Sequence, residues 1–186
     1  MKNVALFIVL SPYDNEQSNL IHIILKEKSL NDIPKYKSLL EQFINQELID
    51  QKKLVQIYGP ELKQGSKDSP PTEVFNDKTE EGRKRWDDLK SRVVEHNIRI
   101  MAKYYTRVSL KRMAELVSLE LTLAFLEWEN VKSCDFYLQL DLKPEETEEF
   151  LSKMVVDKAV EAKVDRLDNI VHFDKHHDPN EMLNEW

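Results

Sequence analysis

The sequence has few of the residues that make tight turns and cross-links. It contains three glycines and one cysteine among 186 residues. A β-sandwich or β-barrel needs many turn residues, so the shortage of glycine favours a helical fold. A single cysteine cannot form an internal disulfide, and we therefore expect a reducing compartment.

Long hydrophobic runs are also scarce. The apolar run VALFIVL (residues 4–10) is too short to cross a membrane. It has the composition of a signal-peptide core, but the SPYDNEQ that follows does not have the pattern of a small-residue cleavage site. We interpret the run as a buried helix end and expect an intracellular chain without membrane contact, with secretion as the minor alternative.

Positive charge is in the minority. The chain has 27 Lys and Arg against 34 Asp and Glu, which gives a net charge of -7. Non-specific binding of nucleic acid requires a broad basic surface. The charge balance therefore argues against a nucleic-acid partner.

Motifs for catalysis or metal binding are weak. The sequence has no glycine-rich phosphate loop and no nucleophile elbow. Cys134 has no histidine at a recognisable spacing, and the adjacent His176 and His177 are poorly arranged to converge on one ion. We interpret His22 and His96 as packed or solvated. The sequence therefore predicts no catalytic, cofactor-binding or metal site, and no cofactor.

The first half shows the patterns of short helices. Asp14 and Gln17 form a capping-box pattern before SNLIHIIL. Pro34 suits the first turn of a second helix, in which apolar residues recur at helical spacing. A third helix covers QKKLVQIY and is expected to end at Gly59 and Pro60.

A loop and a long helix follow. Residues 63–82 hold most of the Gly, Ser and Pro signals of a loop. The next segment predicts a long helix that buries one face, because its apolar residues recur near a 3.5-residue period. These residues are Trp86, Leu89, Val93, Ile100 and Tyr104.

The second half changes pattern. TRVSLKRMAEL predicts a short strand and then a helix capped by Ser109, and LKPEETEEFLSKMVVDK predicts a helix with Pro144 in its first turn. AVEAKVDRLDNIVHF alternates apolar and polar residues on both sides of a turn at DRLDN, as a β-hairpin does. Strand, helix, helix and hairpin in this order predict a winged helix.

Winged helices often bind DNA through basic and amide side chains on the second helix. In this chain that helix offers Lys153 against five acidic residues, which would repel phosphates. The acidic residues are Glu145, Glu146, Glu148, Glu149 and Asp157. We therefore expect the hairpin to pair its edge with another protein.

Several segments resemble a known family. They are, in order, SPYDNEQSNL, IPKYKSLL, LVQIYGPELKQGS, TEEGRKRWDDLKSRVVEHNIRIMAKYYTRVSLKRMAEL, EAKVDRLDNIVHF and DPNEMLNEW. The chain is similar to the C-terminal part of the PCI-domain subunits of the 26S proteasome regulatory lid, and VVEHNIRIMAKYYTR favours one such subunit over other PCI proteins. The resemblance implies a mainly α fold, in which a helical-repeat segment is followed by a PCI module that ends in a winged helix.

The resemblance also implies a function. A lid subunit of this kind is a non-catalytic scaffold, present in cytoplasm and nucleus, that supports ubiquitin-dependent protein degradation. Its implied partners are other lid PCI subunits and the lid deubiquitinase, with possible contacts to the base and core particle. Residues 161–173 and the two helices of the winged helix are expected to face these neighbours. A PCI subunit of the COP9 signalosome or of translation initiation factor 3 is the alternative, and a nucleic-acid-binding winged helix is a weaker one.

The resemblance also suggests a division of the chain. We assign 1–62 to a helical segment, 63–82 to a loop, and 83–174 to the winged-helix part with an atypical insertion at 117–139. Residues 175–186 are expected to form a truncated tail. Family members begin earlier and continue into a C-terminal helix, so we expect this sequence to be a fragment or an incomplete gene model.

The insertion at 117–139 separates the two helices of the predicted helix-turn-helix, where a few residues suffice. It has three interpretations: a partner-binding insert, an extension of helix or strand, or a translated retained intron. We favour the intron, because the Val-Ser at its start matches a splice-donor codon pair and the FYLQ at its end matches a pyrimidine-rich acceptor. Sequencing the transcript tests the intron hypothesis, which fails if most messages retain these codons.

Overall fold

The computed structural model describes residues 1–65, 71–118 and 144–174. The chain divides into two compact units, Met1–Asn97 and Ile98–Trp186. Most described residues are helical, and a three-stranded antiparallel sheet lies in the second unit. The prediction of a mainly helical fold with a small hairpin is confirmed.

The first unit is built from helices that bury apolar stripes in one core. The helices are α1 (Lys2–Leu10), α2 (Asn15–Leu25), α3 (Pro34–Ile44), α4 (Gln51–Gln64), the first part of α5 (Glu80–Tyr104), and two 3-10 turns (Lys28–Leu30 and Glu73–Phe75). Helix α1 buries Leu6 and Val9 in this core, as expected of a buried helix end. Burial of such side chains is the main favourable term in folding.

The predicted cap of α2 is present, but its second half is not. The Asp14 carboxylate accepts a hydrogen bond from the Gln17 backbone N–H at 2.6 Å. In a full capping box the Gln17 side chain would bond back to the cap residue. Instead, its amide donates to the Ile8 carbonyl at 3.0 Å and ties α2 to α1. Packing against α1 therefore gives the Gln17 side chain a different partner from the one that the sequence pattern predicted.

The predicted end of α4 at Gly59 and Pro60 is wrong. The helix continues to Gln64, with Pro60 inside it, and ends at Gly65, which adopts a left-handed φ of 78°. An internal proline removes one helical hydrogen bond. The helix nevertheless continues because Tyr58 and Leu62 on either side of the proline are both buried in the core.

Helix α5 is the predicted long helix, and it begins at Glu80, inside the segment 63–82 that was predicted as a loop. Trp86, Leu89, Val93 and Ile100 are buried as the periodicity indicated. Tyr104 is not, because its side chain is 64% exposed at the end of the helix. A periodic pattern therefore predicts the buried face only as far as there is something to pack against.

Two polar residues of α5 hold the connection between α3 and α4. Asn97 is fully buried, and its side-chain amide accepts from the Ile49 N–H at 2.8 Å and donates to the Ile49 carbonyl at 2.9 Å. The neighbouring His96, also buried, has Nε2 at 3.0 Å from the Glu47 carbonyl oxygen and packs edge-on against Phe43. His96 is thus packed, as one of the two interpretations held, and serves the structure of the first unit.

The second unit follows the predicted order. Its elements are the end of α5, β1 (Arg107–Ser109), α6 (Leu110–Ser118), α7 (Pro144–Val156), β2 (Ala162–Asp165) and β3 (Ile170–Phe173). The Ser109 hydroxyl accepts from the Arg112 N–H at 3.2 Å, which confirms the predicted cap of α6. Helices α6 and α7 pack together, and Met113 and Leu151 are fully buried.

Parts of the sequence interpretation lie outside the described residues. The insertion 117–139 is described only at Val117 and Ser118, which continue α6, and Val117 is fully buried. The rest of the insertion, with Cys134, and the tail 175–186, with His176 and His177, are outside the described ranges. The retained-intron hypothesis stays a prediction.

The pH dependence of folding stability tests whether Tyr36 is buried in the core of the first unit. Burial raises the pKa of the Tyr36 phenol above its ordinary value of 10.0, the Glu61 carboxylate raises it further, and the Thr72 side chain opposes the rise. The unfolded chain therefore loses this proton first, so the stability present below about pH 10 falls as the pH rises above it.

We expect the Tyr36→Phe variant to lose less stability than the wild type between about pH 9 and about pH 11. The measurement is urea unfolding at several pH values, followed by circular dichroism. Tyr104→Phe is the control, because that side chain is 64% exposed. Identical pH slopes in the wild type and both variants would contradict the assignment.

Candidate protein-interaction surface

The sheet of the second unit has an open edge in the part of the chain that the structure describes. The strand order is β1-β3-β2, so β3 is central and β2 lies at an edge. Both pairings are antiparallel, with Val171 opposite Val108 on one side and Val164 on the other. An edge strand leaves a row of backbone donors and acceptors available for another strand.

The register identifies which backbone groups face outward. The Asp174 N–H donates to the Glu161 carbonyl, and the Phe173 N–H donates to the Thr106 carbonyl. Antiparallel pairs alternate between hydrogen-bonded and non-hydrogen-bonded, so Lys163 and Asp165 also bond inward to β3. The N–H and C=O groups of Ala162 and Val164 consequently point away from β3, toward the open edge.

The hairpin is anchored to the helices of its own unit. Arg166 contacts Oε1 of Glu148 on α7 through its Nε at 2.8 Å and through an Nη at 2.7 Å. At the other end of the turn, the Leu110 N–H of α6 donates to the Asn169 carbonyl at 2.9 Å. Asn169 has a φ of 54°, a conformation that asparagine tolerates well. These contacts set the position of the hairpin before any partner binds.

The turn between β2 and β3 is closed by the side chain of Asp165. Asp165 accepts hydrogen bonds from the N–H groups of Leu167 at 3.0 Å and Asp168 at 3.3 Å. One face of the hairpin is buried at Val171 and Phe173. The opposite face carries charged residues in exposed positions, as an antiparallel sheet with one solvated face does.

A shallow depression lies on the hairpin. It is lined by Lys163, Val164, Asp165, Arg166, His172 and Asp174. Its charges are partly paired, since Lys163 lies 3.3 Å from the Asp174 carboxylate. The lining holds no serine, threonine or cysteine that a neighbouring base would activate. This surface offers backbone groups of the strand edge and a paired Lys163 and Asp174.

Two other kinds of site are absent from the part of the chain that the structure describes. Within residues 1–65, 71–118 and 144–174, no group of three or more His, Cys, Asp or Glu side chains is placed to hold a metal ion. No described helix combines the length and apolar character needed to cross a membrane. His22 is exposed on α2.

Sequence reasoning identified the hairpin but missed what anchors it. The pair between Arg166 and Glu148 joins residues 18 positions apart, on elements whose packing the sequence did not give. Sequence reasoning also missed Leu167, whose side chain is 94% exposed at the turn. The DRLDN motif already contained a signal, because it places one apolar residue at the tip of a polar turn.

Comparison with known proteins gives several clear likenesses. The chain is 37% identical over 186 residues to the 26S proteasome regulatory subunit rpn501 of Schizosaccharomyces pombe, covering all of this chain and 35% of that protein. It is 37% identical to the 26S proteasome non-ATPase regulatory subunit 12 of Dictyostelium discoideum, covering 34% of it. It is 31% identical to the 26S proteasome regulatory subunit RPN5 of Saccharomyces cerevisiae, covering 35% of it.

These likenesses confirm the resemblance found in the sequence. The chain spans about a third of the length of these relatives, at 34–35%. A family profile described as the PCI domain matches residues 36–175, which include nearly all of α3, the rest of the first unit after it, and all described elements of the second. The chain therefore belongs to the PCI-domain family.

Proposed function

We propose that this protein is a non-catalytic scaffold subunit of the 26S proteasome regulatory lid. In this role it packs against neighbouring lid subunits through its PCI domain and supports ubiquitin-dependent protein degradation. The PCI match and the names of the relatives, which are proteasome regulatory subunits, support the assignment. The observation that carries the mode of action is the open edge of β2 on an anchored hairpin.

The described residues 107–118 and 144–173 form the winged helix of the PCI module in this proposal. A strand, two packed helices and a hairpin follow one another, and the hairpin returns to pair with the first strand. This arrangement supports the assignment because a winged helix adds such a hairpin to a helix-turn-helix. Helices α1 and α2 would then belong to the helical segment that leads into the module, and α3, α4 and α5 to the helical part of the module itself.

The proposed partners are other PCI subunits of the lid and the lid deubiquitinase, in cytoplasm and nucleus. Base and core-particle contacts are part of the same proposal. A β-strand from a neighbour would bond to the N–H and C=O groups of Ala162 and Val164, by the strand addition that several peptide-binding domains use. The subunit itself would carry no catalytic residue.

A role in nucleic-acid binding is disfavoured by the charge on α7. This helix has four glutamates in its first half, and one of them, Glu148, is held by Arg166. Arg166 is therefore engaged within the unit, and a phosphate backbone would meet an acidic helix. A PCI subunit of another complex is the remaining alternative, and it differs from the proposal only in its partners.

The test is affinity purification of the full-length gene product from its own cells, followed by quantitative mass spectrometry. We expect proteasome lid subunits in near-stoichiometric amounts. Recovery of COP9 signalosome or translation initiation factor 3 subunits in their place would overturn the assignment. If the protein is not retained on a DNA column at low salt, the nucleic-acid alternative is wrong.

The role of the strand edge has its own prediction. We expect Ala162→Pro to reduce recovery of the neighbouring subunit by about tenfold or more, since it removes one outward N–H and places a ring at the edge. Proline is tolerated at the first residue of an edge strand, and the inward bonds of Lys163 and Asp165 remain. The measurement is the same purification, normalised to the tagged protein.

Ala162→Ser is the matched control, because it changes the side chain and keeps the N–H. Thermal unfolding of both variants checks that the second unit still folds. If Ala162→Pro recovers its neighbours as well as Ala162→Ser does, strand addition at this edge is wrong.

A further inference from the structure

The tip of the β2–β3 hairpin presents an apolar side chain to solvent. Leu167 is 94% exposed, more than any other large hydrophobic residue in the described part of the chain. The next are Val156 at 79% and Tyr104 at 64%. Isolated apolar residues on a surface are common, so exposure alone does not identify a binding residue.

The turn that carries Leu167 is held from three directions. Asp165 accepts hydrogen bonds from the backbone of the turn, Arg166 is fixed to Glu148 of α7, and Asn169 is bonded to the start of α6. The backbone on both sides of Leu167 is thus positioned by the rest of the unit. A preorganised residue loses less conformational entropy on binding, which is the property of an anchor side chain.

The charges beside Leu167 indicate the chemistry of a complementary surface. Asp165 and Asp168 flank the tip, and the adjacent cation, Arg166, is directed toward Glu148. The immediate surroundings of the leucine are therefore acidic. A partner that receives this tip would combine an apolar pocket with Lys or Arg at its rim.

We propose that Leu167 is an anchor residue that inserts into an apolar, basic-rimmed pocket of a neighbouring protein subunit. The proposal rests on the proposed function, because it assigns a partner contact to the same hairpin. It goes beyond strand addition, since the edge groups of Ala162 and Val164 supply backbone bonds without side-chain specificity. The leucine would supply the side-chain selection that a strand edge lacks.

The first test compares variants of the full-length protein in affinity purification. We expect Leu167→Ser to reduce recovery of one neighbouring lid subunit by about tenfold or more, because burial of a leucine side chain is lost. Leu167→Met should restore recovery to near the wild-type level, since it keeps apolar volume. Ile57→Ser is the matched control, because Ile57 is 54% exposed on α4 in the other unit.

Folding does not confound this comparison. A side chain that is 94% exposed contributes little to the native core, so thermal unfolding of Leu167→Ser should match the wild type. If Leu167→Ser recovers the lid subunits as the wild type does, the anchor is refuted while the proposed function stands. If the wild type itself recovers no lid subunit, the proposed function fails, and crosslinking decides on Leu167.

The second test places a photo-reactive amino acid at position 167 and, separately, at position 57. The expected result is a crosslink from position 167 to a peptide of another subunit that has apolar residues beside Lys or Arg. Crosslinks only to a second copy of this chain, or to residues of its own unit, would overturn the proposal. So would an equal yield from position 57.

Discussion

Replacing Asn97 with alanine is expected to lower the free energy of unfolding by about 3 kcal/mol, because two buried backbone groups each lose a partner worth about 1–3 kcal/mol. The Asn97 side chain is fully buried and forms two hydrogen bonds of 2.8 and 2.9 Å with the backbone of Ile49. Ile49 is itself buried in the connection between α3 and α4. With alanine at position 97, the backbone N–H and C=O of Ile49 lose these bonds.

Chemical denaturation followed by intrinsic fluorescence measures this effect. Asn31→Ala is the control, since Asn31 is exposed and its side chain accepts one bond from Lys37 at 3.0 Å. We expect that variant to lie within about 0.5 kcal/mol of the wild type. A similarly small change for Asn97→Ala would show that the connection does not depend on this amide.

A comparable loss is expected for Gly82→Ala at the start of α5. A Cβ atom at this position would lie 2.1 Å from the Asn76 carbonyl oxygen and 2.7 Å from the Asn76 nitrogen. Both atoms belong to the backbone, so no side-chain rotation relieves the contact. Overpacking of this kind costs about 3 kcal/mol when the backbone itself must move.

Glycine 59 provides the matched control for Gly82. A Cβ at Gly59 would meet side-chain atoms of Trp86 and Val55 at 3.8 Å, which is ordinary van der Waals distance. Gly59 lies inside α4 directly before Pro60, so the helical preference for alanine, about 0.5–1 kcal/mol, is opposed by the contact of a Cβ with the proline ring. Gly59→Ala should therefore lose much less stability than Gly82→Ala. An equal loss for both variants would mean that the turn at Asn76 is not in close contact with α5.

The contacts of Asn97 and Gly82 also account for part of the sequence pattern that indicated the family. The segment VVEHN contains the two polar residues, His96 and Asn97, that bond to the α3–α4 connection. The segment TEEGRKRW contains Gly82, which allows the close approach of the Asn76 turn. Both segments therefore carry structural requirements of the first unit. The candidate partner contacts lie elsewhere, on the hairpin.

The sequence by itself determined the local elements of this protein. The caps at Asp14 and Ser109, the proline at the start of α3 and the alternating hairpin pattern all predicted structure that is present. Each of these signals acts between residues at most a few positions apart, or within one repeating pattern. Such short-range physics is readable without knowing what packs against what.

Tertiary structure decided the rest, because it joins residues far apart in the chain. Asn97 and Ile49 are separated by 48 positions, and Arg166 and Glu148 by 18. Helix α4 continues past Pro60 because of its packing, although the local sequence predicted that it would end there. Tyr104 is exposed, although the periodicity predicted that it would be buried. The sheet order made β2 an edge and left Leu167 at an exposed tip. Which surface is available to a partner depends on burial, and burial is a property of the folded chain.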